Sequence, residues 1–326
     1  MSTPTDARDA ATLAQLAALA AADPAAVAPA DLAAVVAATP LAELRAAAAG
    51  SLRDLTIDIV LDRLPEFVAP ERWTGAPVCL ALRLTGRAGG GSDTVVLRLD
   101  GVTATADRAT GAATTVDPVD VTIEADALDL LLLVTGQEHA ALLYLRGGLR
   151  LEGEVRLAIA AAGCFHIPGA ASSNRDGHDG TTDLDPLAID ANAVAAVVRD
   201  LSDKALRQRM AGGVRDIVLG EIFARFADHL RRDRTADVDA AIAWRITGRE
   251  DGGVDEFVTH IDHGAVVLAE PGSLKPRVSI QVEAADFLRL VTGNANPAMM
   301  FMRRKISVRG DLGFAAQLTG MFRIPS

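Results

Sequence analysis

The sequence predicts an α+β protein built from two tandem domains, each with an antiparallel-dominated sheet that helices cover on one face. Three observations support this prediction: the chain repeats itself, a polar segment separates the two copies, and the apolar spacing within each copy changes from helical to strand-like. The length of 326 residues also suffices for two domains that each bury their own core.

The internal repeat begins at Asp23 and Asp185 and continues without a gap into the strand region, where RLTGR in the first copy falls on RITGR in the second. After one loop of unequal length, a second gap-free block pairs residues 121–168 with residues 278–325. Register that is kept over such lengths indicates two folded copies rather than low-complexity similarity.

The repeat defines the domain boundaries. We expect an Ala-rich helical extension over residues 1–22, the first domain over 23–168, a flexible linker rich in Gly, Ser and Asp over 169–184, and the second domain over 185–326. The first segment lacks the basic region of a signal peptide, and no apolar run reaches the roughly 18 residues of a membrane span.

Each copy opens with helices. Apolar spacing predicts a first helix, a short second helix with N-cap residues at its start, and a longer third helix. These helices are expected over residues 25–38, after Thr39-Pro40 and over 51–67 in the first copy, and over 187–200, after Ser202 and over 214–230 in the second. The pairs Arg53-Asp54 and Arg215-Asp216 at the start of the third helix are interpreted as solvated or capping charges.

Strands follow, and the second copy shows them most clearly. Alternation predicts three strands, the first two of which flank a Gly-rich hairpin loop. A helix stopped by Gly293, a helix opened by Asn296-Pro297 and a last strand then complete the domain. The strands are expected over residues 241–247, 256–262, 277–282 and 305–309, the first of these helices over 284–291, and residues 311–318 fit either period.

Charge and composition exclude several function classes. The net charge is -11 and the basic residues are scattered, so we expect no nucleic-acid binding and no stable membrane insertion. Cys79 and Cys164 form no disulfide framework or metal-ligand motif, which fits a cytoplasmic protein. Aromatic residues make up only 4%, so we expect an aliphatic interior. Heavy use of Ala, and of Arg over Lys, indicates a high-GC bacterial genome.

No motif predicts catalysis or a cofactor. His260 and His263 resemble part of a metal site, but in a strand they point to opposite faces, and the first copy has Arg98 and Gly101 there. The sequence Gly-Gly-Gly at 89–91 lacks the Lys of a phosphate loop and predicts a hairpin turn. We therefore expect no enzyme, no cofactor and no metal.

Residues 287–318, FLRLVTGNANPAMMFMRRKISVRGDLGFAAQL, resemble the signature half of the sterol carrier protein 2 (SCP2) family. The resemblance lies in an apolar helix ending in Thr-Gly, a loop with Pro, a turn rich in Ala, Met and Phe, and a strand leading to Gly-Asp. Two positions depart from the pattern. Arg304 replaces the usual Gly before the strand Lys in the second copy, and Gly148 replaces that Lys in the first.

The resemblance implies a non-enzymatic domain that holds sterols, fatty acids, fatty acyl-CoA or phospholipids in an apolar tunnel between sheet and helices. Burial of each methylene contributes about 0.8 kcal/mol, so an apolar ligand needs no special polar residue. In the second copy the expected lining residues are Phe287, Leu290, Val291, Met299, Met300, Phe301, Met302, Phe314 and Leu318. In the first copy they are Leu130, Leu133, Val134, Leu142, Leu143 and Tyr144.

Two alternatives stay open beside the carrier. Domains of this kind also serve as structural or dimerisation modules with a collapsed cavity, and one copy could have gained catalysis. Because flexible Met side chains adapt to ligand shape, we expect the second copy to bind lipid better than the first. The identity of the lipid and the oligomeric state are left open.

Overall fold

The computed structural model describes residues 12–48, 50–87, 91–109, 118–167, 182–183 and 191–323. The chain divides into two compact units, Met1–Ala188 (unit 1) and Ile189–Ser326 (unit 2). Among the described helices, none combines the length and the apolar character needed to cross a bilayer. The expected linker lies outside the described residues except for Thr182–Asp183, which form a short strand.

The helices before the sheet of unit 1 are α1 (Leu13–Ala22), α2 (Pro29–Ala38), α3 (Leu41–Ala47) and α4 (Ser51–Leu55). A capping box starts α1, because Thr12 and Gln15 each accept the other's backbone N–H. Leu13 and Leu16 are buried in the core of unit 1, so the described part of the Ala-rich extension belongs to this fold. Thr39 does not cap α3 as expected; its hydroxyl donates to Val35 O at the end of α2.

The expected third helix of unit 1 is divided. It continues from α4 into a π-helical turn, Thr56–Leu61, and ends in a 3₁₀ turn, Leu64–Phe67. The hydroxyl of Thr56 donates to Leu52 O at 2.8 Å, which competes with the regular backbone hydrogen bond at that carbonyl. The spacing of apolar residues in the sequence does not reveal a side-chain hydrogen bond of this kind.

The sheet of unit 1 has five strands, β1 (Val78–Leu84), β2 (Asp93–Leu99), β3 (Ala104–Ala109), β4 (Val121–Ala125) and β5 (Leu149–Gly153). Their order is β3-β2-β1-β4-β5, in which β1 and β4 are parallel and the other neighbours antiparallel. Helices α5 (Ala127–Val134), α6 (Ala140–Arg146) and α7 (Val155–Ala162) follow β4 and β5, and strands β6 (His166–Ile167) and β7 (Thr182–Asp183) form a separate pair.

Unit 2 repeats this sheet with the strands β8 (Asp239–Thr247), β9 (Asp255–Asp262), β10 (Ala265–Ala269), β11 (Val278–Glu283) and β12 (Ile306–Gly310). Their order is β10-β9-β8-β11-β12, again with one parallel pair, β8 and β11. Its helices are α8 (Ala191–Asp200), α9 (Asp203–Arg209), α10 (Arg215–Ala224), α11 (Arg232–Thr235), α12 (Ala284–Val291), α13 (Pro297–Met302) and α14 (Leu312–Met321).

The core of unit 2 lies on one face of its sheet. Ile242, Trp244 and Ile246 on β8 are buried and alternate with the less buried Ala243 and Arg245. The antiparallel-dominated α+β fold with helices on one face is therefore confirmed. Residues 311–318, whose spacing fitted both a helix and a strand, are helical, because Asp311 caps α14 by accepting from Phe314 N.

Candidate functional site

Helices α12 and α13 border the apolar interior of unit 2. At the end of α12 the Thr292 hydroxyl donates to Leu288 O at 2.7 Å, and Gly293 with φ 74° turns the chain. Asn296 starts α13 by accepting from Met299 N at 3.1 Å, as its position before Pro297 predicted. Since α13 has fewer than two turns, only one narrow side of it faces the interior.

Stacked aromatic rings fill part of the interior of unit 2. The Phe223 ring on α10 lies 4.0 Å from Phe257, 4.9 Å from Phe226 and 5.4 Å from Phe287, measured between ring centroids. Trp244 also belongs to this cluster, and its indole N–H donates to the buried Thr259 hydroxyl at 2.9 Å. Such ring pairs contribute about 0.5–1.5 kcal/mol each beyond the area they bury.

Unit 1 has an aliphatic interior at the same repeat positions. The residues that align with Phe223, Phe226, Trp244, Phe257 and Phe287 are Leu61, Leu64, Leu82, Val95 and Leu130, all of them buried. At these five positions the aliphatic interior expected from composition is found in unit 1 and not in unit 2, although Phe67 and Trp73 are also buried in the core of unit 1. The sequence did contain a sign of the aromatic interior of unit 2, because most aromatic residues of the chain fall in the second copy.

The structure divides the expected lining residues of unit 2 into three groups. Phe287, Met300, Phe314 and Leu318 are buried, whereas Leu290 and Val291 are half-buried. The other three lie on the solvent side of α13: Met299, Phe301 and Met302, which expose 45%, 50% and 75% of their surface. Successive residues of a helix point in different directions, so of residues 299–302 only Met300 points toward the interior.

In unit 1 the expected lining residues are more completely enclosed. Leu130, Val134, Leu142 and Leu143 are buried, and Leu133 and Tyr144 are half-buried. Leu145 is buried too. Three buried leucines therefore anchor α6, whereas Met300 is the single buried side chain of α13.

Comparison with known families identifies this architecture. The model of the SCP-2 sterol transfer family matches residues 71–166 and residues 219–323, which together make up more than half of the chain. The chain belongs to the SCP-2 sterol transfer family. One matched region lies in each unit, so both units are SCP2 units.

Individual relatives match only parts of the chain. Hydroxysteroid dehydrogenase-like protein 2 from Xenopus tropicalis is 38% identical over 55 residues, which are 17% of this chain and 13% of that protein. The chain therefore spans a small part of that relative. Among solved structures, Sterol Carrier Protein 2 Like 2 from Aedes aegypti is similar, with 20% identity over 33% of this chain and 98% of that chain and a TM-score of 0.27. The sec-alkylsulfatase Pisa1 from Pseudomonas sp. is also similar, with 14% identity over 52% of this chain and 28% of that chain and a TM-score of 0.30.

Each SCP2 unit contains a buried arginine that ties its third helix to the end of its first strand hairpin. In unit 2 the Arg215 guanidinium donates to Ile246 O at 2.9 Å and to Thr247 O at 3.0 Å, and it forms a 2.5 Å ion pair with Asp255. Arg249 pairs with the same carboxylate at 2.8 Å. In unit 1, Arg53 makes the same type of contacts with Leu84 O, Thr85 O and Asp93.

The interpretation of these arginines as solvated or capping charges is therefore wrong. Arg53 and Arg215 are 6% and 1% exposed. Their partners are backbone carbonyls at a strand end and a carboxylate on the next strand, which lie far away in the sequence. Multiple donors in one plane suit an arginine for such a cluster of acceptors. We call this arrangement the arginine clamp.

A second charged contact differs between the SCP2 units. In unit 2, Lys305 Nζ lies 2.8 Å from the buried Asp286 Oδ1. The repeat places Gly148 and Asp129 at these positions in unit 1, so Asp129 lacks the lysine. Burial, together with the neighbouring carboxylates of Asp126 and Glu138, raises the pKa of Asp129.

His260 and His263 have separate partners. His260 Nε2 lies 2.7 Å from Asp239 Oδ1, and His263 Nδ1 lies 2.6 Å from Asp262 Oδ1. His263 lies beyond β9 in a turn with φ 47°, and not in the strand as expected. Within the described part of the chain, no three His, Cys, Asp or Glu residues form a group suited to a metal ion.

An open pocket of about 310 Å³ lies beside His260 on the sheet face opposite to Ile242. Asp239, His260, Lys275 and Arg277 contribute charged and polar groups to its lining. Ala240, Ala241, Leu274 and Pro276 complete the lining, and no residue of α12 or α13 belongs to it.

Proposed function

We propose that the chain binds sterols, fatty acids or fatty acyl-CoA between the sheet and the helices of its SCP2 units and carries them without chemical change. Membership of the SCP-2 sterol transfer family and the apolar layer in each unit support this proposal. An alkyl chain of ten methylenes would gain about 8 kcal/mol on burial before the ordering costs are subtracted.

The observation that carries the proposal is the weak attachment of α13. Only Met300 connects this helix to the interior, so moving α13 outward exposes one apolar side chain, which costs about 2 kcal/mol. Moving α6 outward exposes Leu142, Leu143 and Leu145 and costs several times as much. We therefore propose unit 2 as the unit that admits ligand more readily.

We also propose that the chain is not an enzyme and that it acts in the cytoplasm. The repeat aligns His139 with Asn296 and His166 with Arg323, so these histidines are absent from the second copy. The dehydrogenase-like and alkylsulfatase relatives are much longer than the regions that match this chain. Cys79 and Cys164 are free thiols, which suits a reducing compartment.

Native mass spectrometry of freshly purified full-length protein tests the carrier. We expect an added mass of a few hundred daltons that disappears after solvent extraction and that appears in the extract as a sterol or fatty acid. Titration of the extracted protein with a fluorescent fatty acid should then show saturable binding. Unloaded protein that also fails to bind fluorescent fatty acid and fluorescent sterol would contradict the proposal.

The stacked rings of unit 2 favour a second candidate function. Phe223, Phe257 and Phe287 occupy space between sheet and helices, as in a structural or dimerisation module with a collapsed interior. That function predicts a ligand-free protein whose thermal stability does not change when lipid is added. The carrier predicts a rise in Tm with ligand concentration.

A further inference from the structure

The outer face of α13 is an apolar surface followed by two arginines. From Pro297 to Met302 the helix contains no polar residue, and Ala298, Met299, Phe301 and Met302 are exposed. Arg303 and Arg304 follow directly, and both are exposed. We call these six exposed residues the α13 face.

The repeat shows that the positive charge of the α13 face is specific to unit 2. In unit 1, Arg146 forms a 2.5 Å ion pair with Glu138. Unit 2 has Ala295 at the position of that glutamate, and within the described chain no ion-pair partner contacts its arginine, Arg303. The next position changes from Gly147 to Arg304, which also has no described ion-pair partner. Both differences leave uncompensated positive charge on a chain of net charge -11.

The backbone at Arg304 indicates that this charge is not required by the fold. Arg304 has φ 59°, in the left-handed region where unit 1 has Gly147 with φ 89°. A glycine adopts this conformation without the steric cost that an arginine incurs. Residues that stay in such a conformation often serve a function rather than stability.

We propose that the α13 face docks unit 2 onto the surface of a bilayer that contains anionic phospholipids. Met and Phe side chains enter the boundary between headgroups and acyl chains, while the two guanidinium groups pair with lipid phosphates. The three large exposed side chains offer roughly 300 Å² of apolar area. That is less than the roughly 800 Å² per partner of a stable protein interface, but a bilayer needs no shape complementarity.

Docking serves lipid transfer only if unit 2 carries a lipid, so this inference rests on the proposed function. Met300 on the inner side of α13 borders the interior, and the α13 face is the outer side of the same helix. Docking therefore brings a helix with a single buried apolar side chain against the lipid phase. A ligand that leaves unit 2 past α13 would enter the bilayer without crossing water.

Vesicle sedimentation of the full chain tests the docking surface. We expect binding to vesicles of phosphatidylcholine with phosphatidylglycerol, weaker binding to phosphatidylcholine alone, and loss of binding as salt increases. Phe301→Ser combined with Met302→Ser should weaken binding at least about tenfold. Arg304→Gly should weaken it about fivefold while Tm stays equal or rises, because glycine relieves the backbone. The last variant separates binding from folding.

Matched controls lie in the same unit. Val267→Ser with Leu268→Ser removes two comparably exposed apolar side chains from β10, and Arg231→Gln with Arg232→Gln removes two exposed charges. Neither control pair should change vesicle binding. Equal losses in a control pair and the corresponding α13 variant would overturn the proposal.

Two further measurements separate the alternatives. Fluorescent fatty acid binding without vesicles should be unchanged in all variants. Wild type that binds fatty acid but no vesicles overturns docking alone, and wild type that binds vesicles through α13 but no fatty acid overturns the carrier alone. A wild-type dimer in sedimentation velocity that Phe301→Ser with Met302→Ser converts to a monomer would show that a second copy covers the α13 face, and would overturn the proposal.

Discussion

Helices α6 and α13 occupy the same place in the two SCP2 units but connect to their surroundings in opposite ways. Three leucines of α6 are buried and its terminal Arg146 is paired with Glu138. In α13 one methionine is buried, and the arginines after it have no described ion-pair partner. A duplicated fold can therefore keep its sheet and helix order while one copy exchanges anchoring contacts for an exposed, charged surface.

The interiors differ as well, while the arginine clamp is preserved. Rings in unit 2 replace the Leu and Val residues of unit 1 at five aligned positions. Arg53 and Arg215 keep the same carbonyl and carboxylate partners. Apolar volume in the interior is exchangeable because dispersion and burial have no direction, whereas the clamp depends on the geometry of specific donors and acceptors.

The largest effect is expected from Phe223, the centre of the ring cluster. Phe223→Ala removes a fully buried ring with three stacked neighbours and should destabilise unit 2 by about 4 kcal/mol. Phe223→Leu, which introduces the residue of unit 1, should cost about 1–2 kcal/mol. Urea unfolding followed by Trp244 fluorescence in a Trp73→Phe background reports on unit 2 alone.

The control for this prediction is the aligned residue of unit 1. Leu61→Ala should lower the stability of unit 1, followed by Trp73 fluorescence in a Trp244→Phe background, by about 3 kcal/mol. If Phe223→Leu costs nothing, the ring stacking contributes no stability and the difference between the two interiors is one of composition only.

The arginine clamp should give the next largest effect, and it should be similar in both units. Arg215→Met leaves Ile246 O, Thr247 O and the Asp255 carboxylate short of donors, which should cost about 3 kcal/mol. Arg215→Lys should recover only part of this, since one ammonium does not reach all three acceptors. Arg53→Met should cost unit 1 a comparable amount in the same urea assay.

A marked difference in the stability lost in Arg215→Met and in Arg53→Met would contradict this prediction. It would show that the clamp stabilises one unit and is a remnant of duplication in the other. The matched surface control is Arg245→Met, because Arg245 is exposed and pairs with Glu256 at 3.0 Å on the sheet surface. It should change stability by less than about 1 kcal/mol.

Local signals in the sequence predicted the elements whose ends are set by local chemistry. The bounds of α12 were predicted as observed, and Asn296 and Ser202 cap their helices as expected. The short strand β10 was missed, because its apolar residues Val267 and Leu268 are exposed on an edge strand and do not alternate with polar ones. The π-helical turn in the third helix of unit 1 was missed, as were the 3₁₀ turns that end the third helix in both units, because an apolar period does not distinguish these turns from an α-helix.

The sequence predicted the helices on which the expected lining residues lie, but not the orientation of these residues. The expected residues do come from the helices beside the sheet, yet the sequence did not indicate which side of α13 faces inward, since all six of its residues are apolar. The arginine clamp could not be predicted from the sequence for another reason. Arg215 and its strand partners are joined only through the tertiary fold, and the sole signal was that Arg, Asp and the RxTGR segment recur in both copies.

Ligand binding should distinguish the two units through one matched pair of substitutions. Met300 and Leu143 align and are 4% and 3% exposed. Met300→Arg places a charge in the apolar layer and should weaken binding of a fluorescent fatty acid at least about tenfold. Leu143→Arg should matter less for binding. Circular dichroism checks that both variants stay folded.

Two outcomes would contradict this ranking. A larger binding loss in Leu143→Arg would identify unit 1 as the main carrier, despite the tighter anchoring of α6. Unchanged binding in Met300→Arg, with the fold intact, would show that the ligand does not lie beside α13. If Met300→Arg unfolds unit 2, Met300→Gln provides a milder polar substitution for the same titration.

The smallest effect concerns Asp129 and its repeat partner Asp286, and it depends on pH. Burial raises the folded-state pKa of Asp129 above its unfolded value, so the folded state binds the proton more tightly and unit 1 loses stability as pH rises through this range. Asp129→Asn removes that loss and should stabilise unit 1 by about 0.5 kcal/mol at pH 7, with no gain at pH 3. Asp286→Asn should instead destabilise unit 2 at pH 7 by about 1 kcal/mol, because it breaks the contact with Lys305. Thermal melts of the single-tryptophan proteins at the two pH values measure both effects, and a loss of stability in Asp129→Asn at pH 7 would mean that this carboxylate has a favourable role in unit 1.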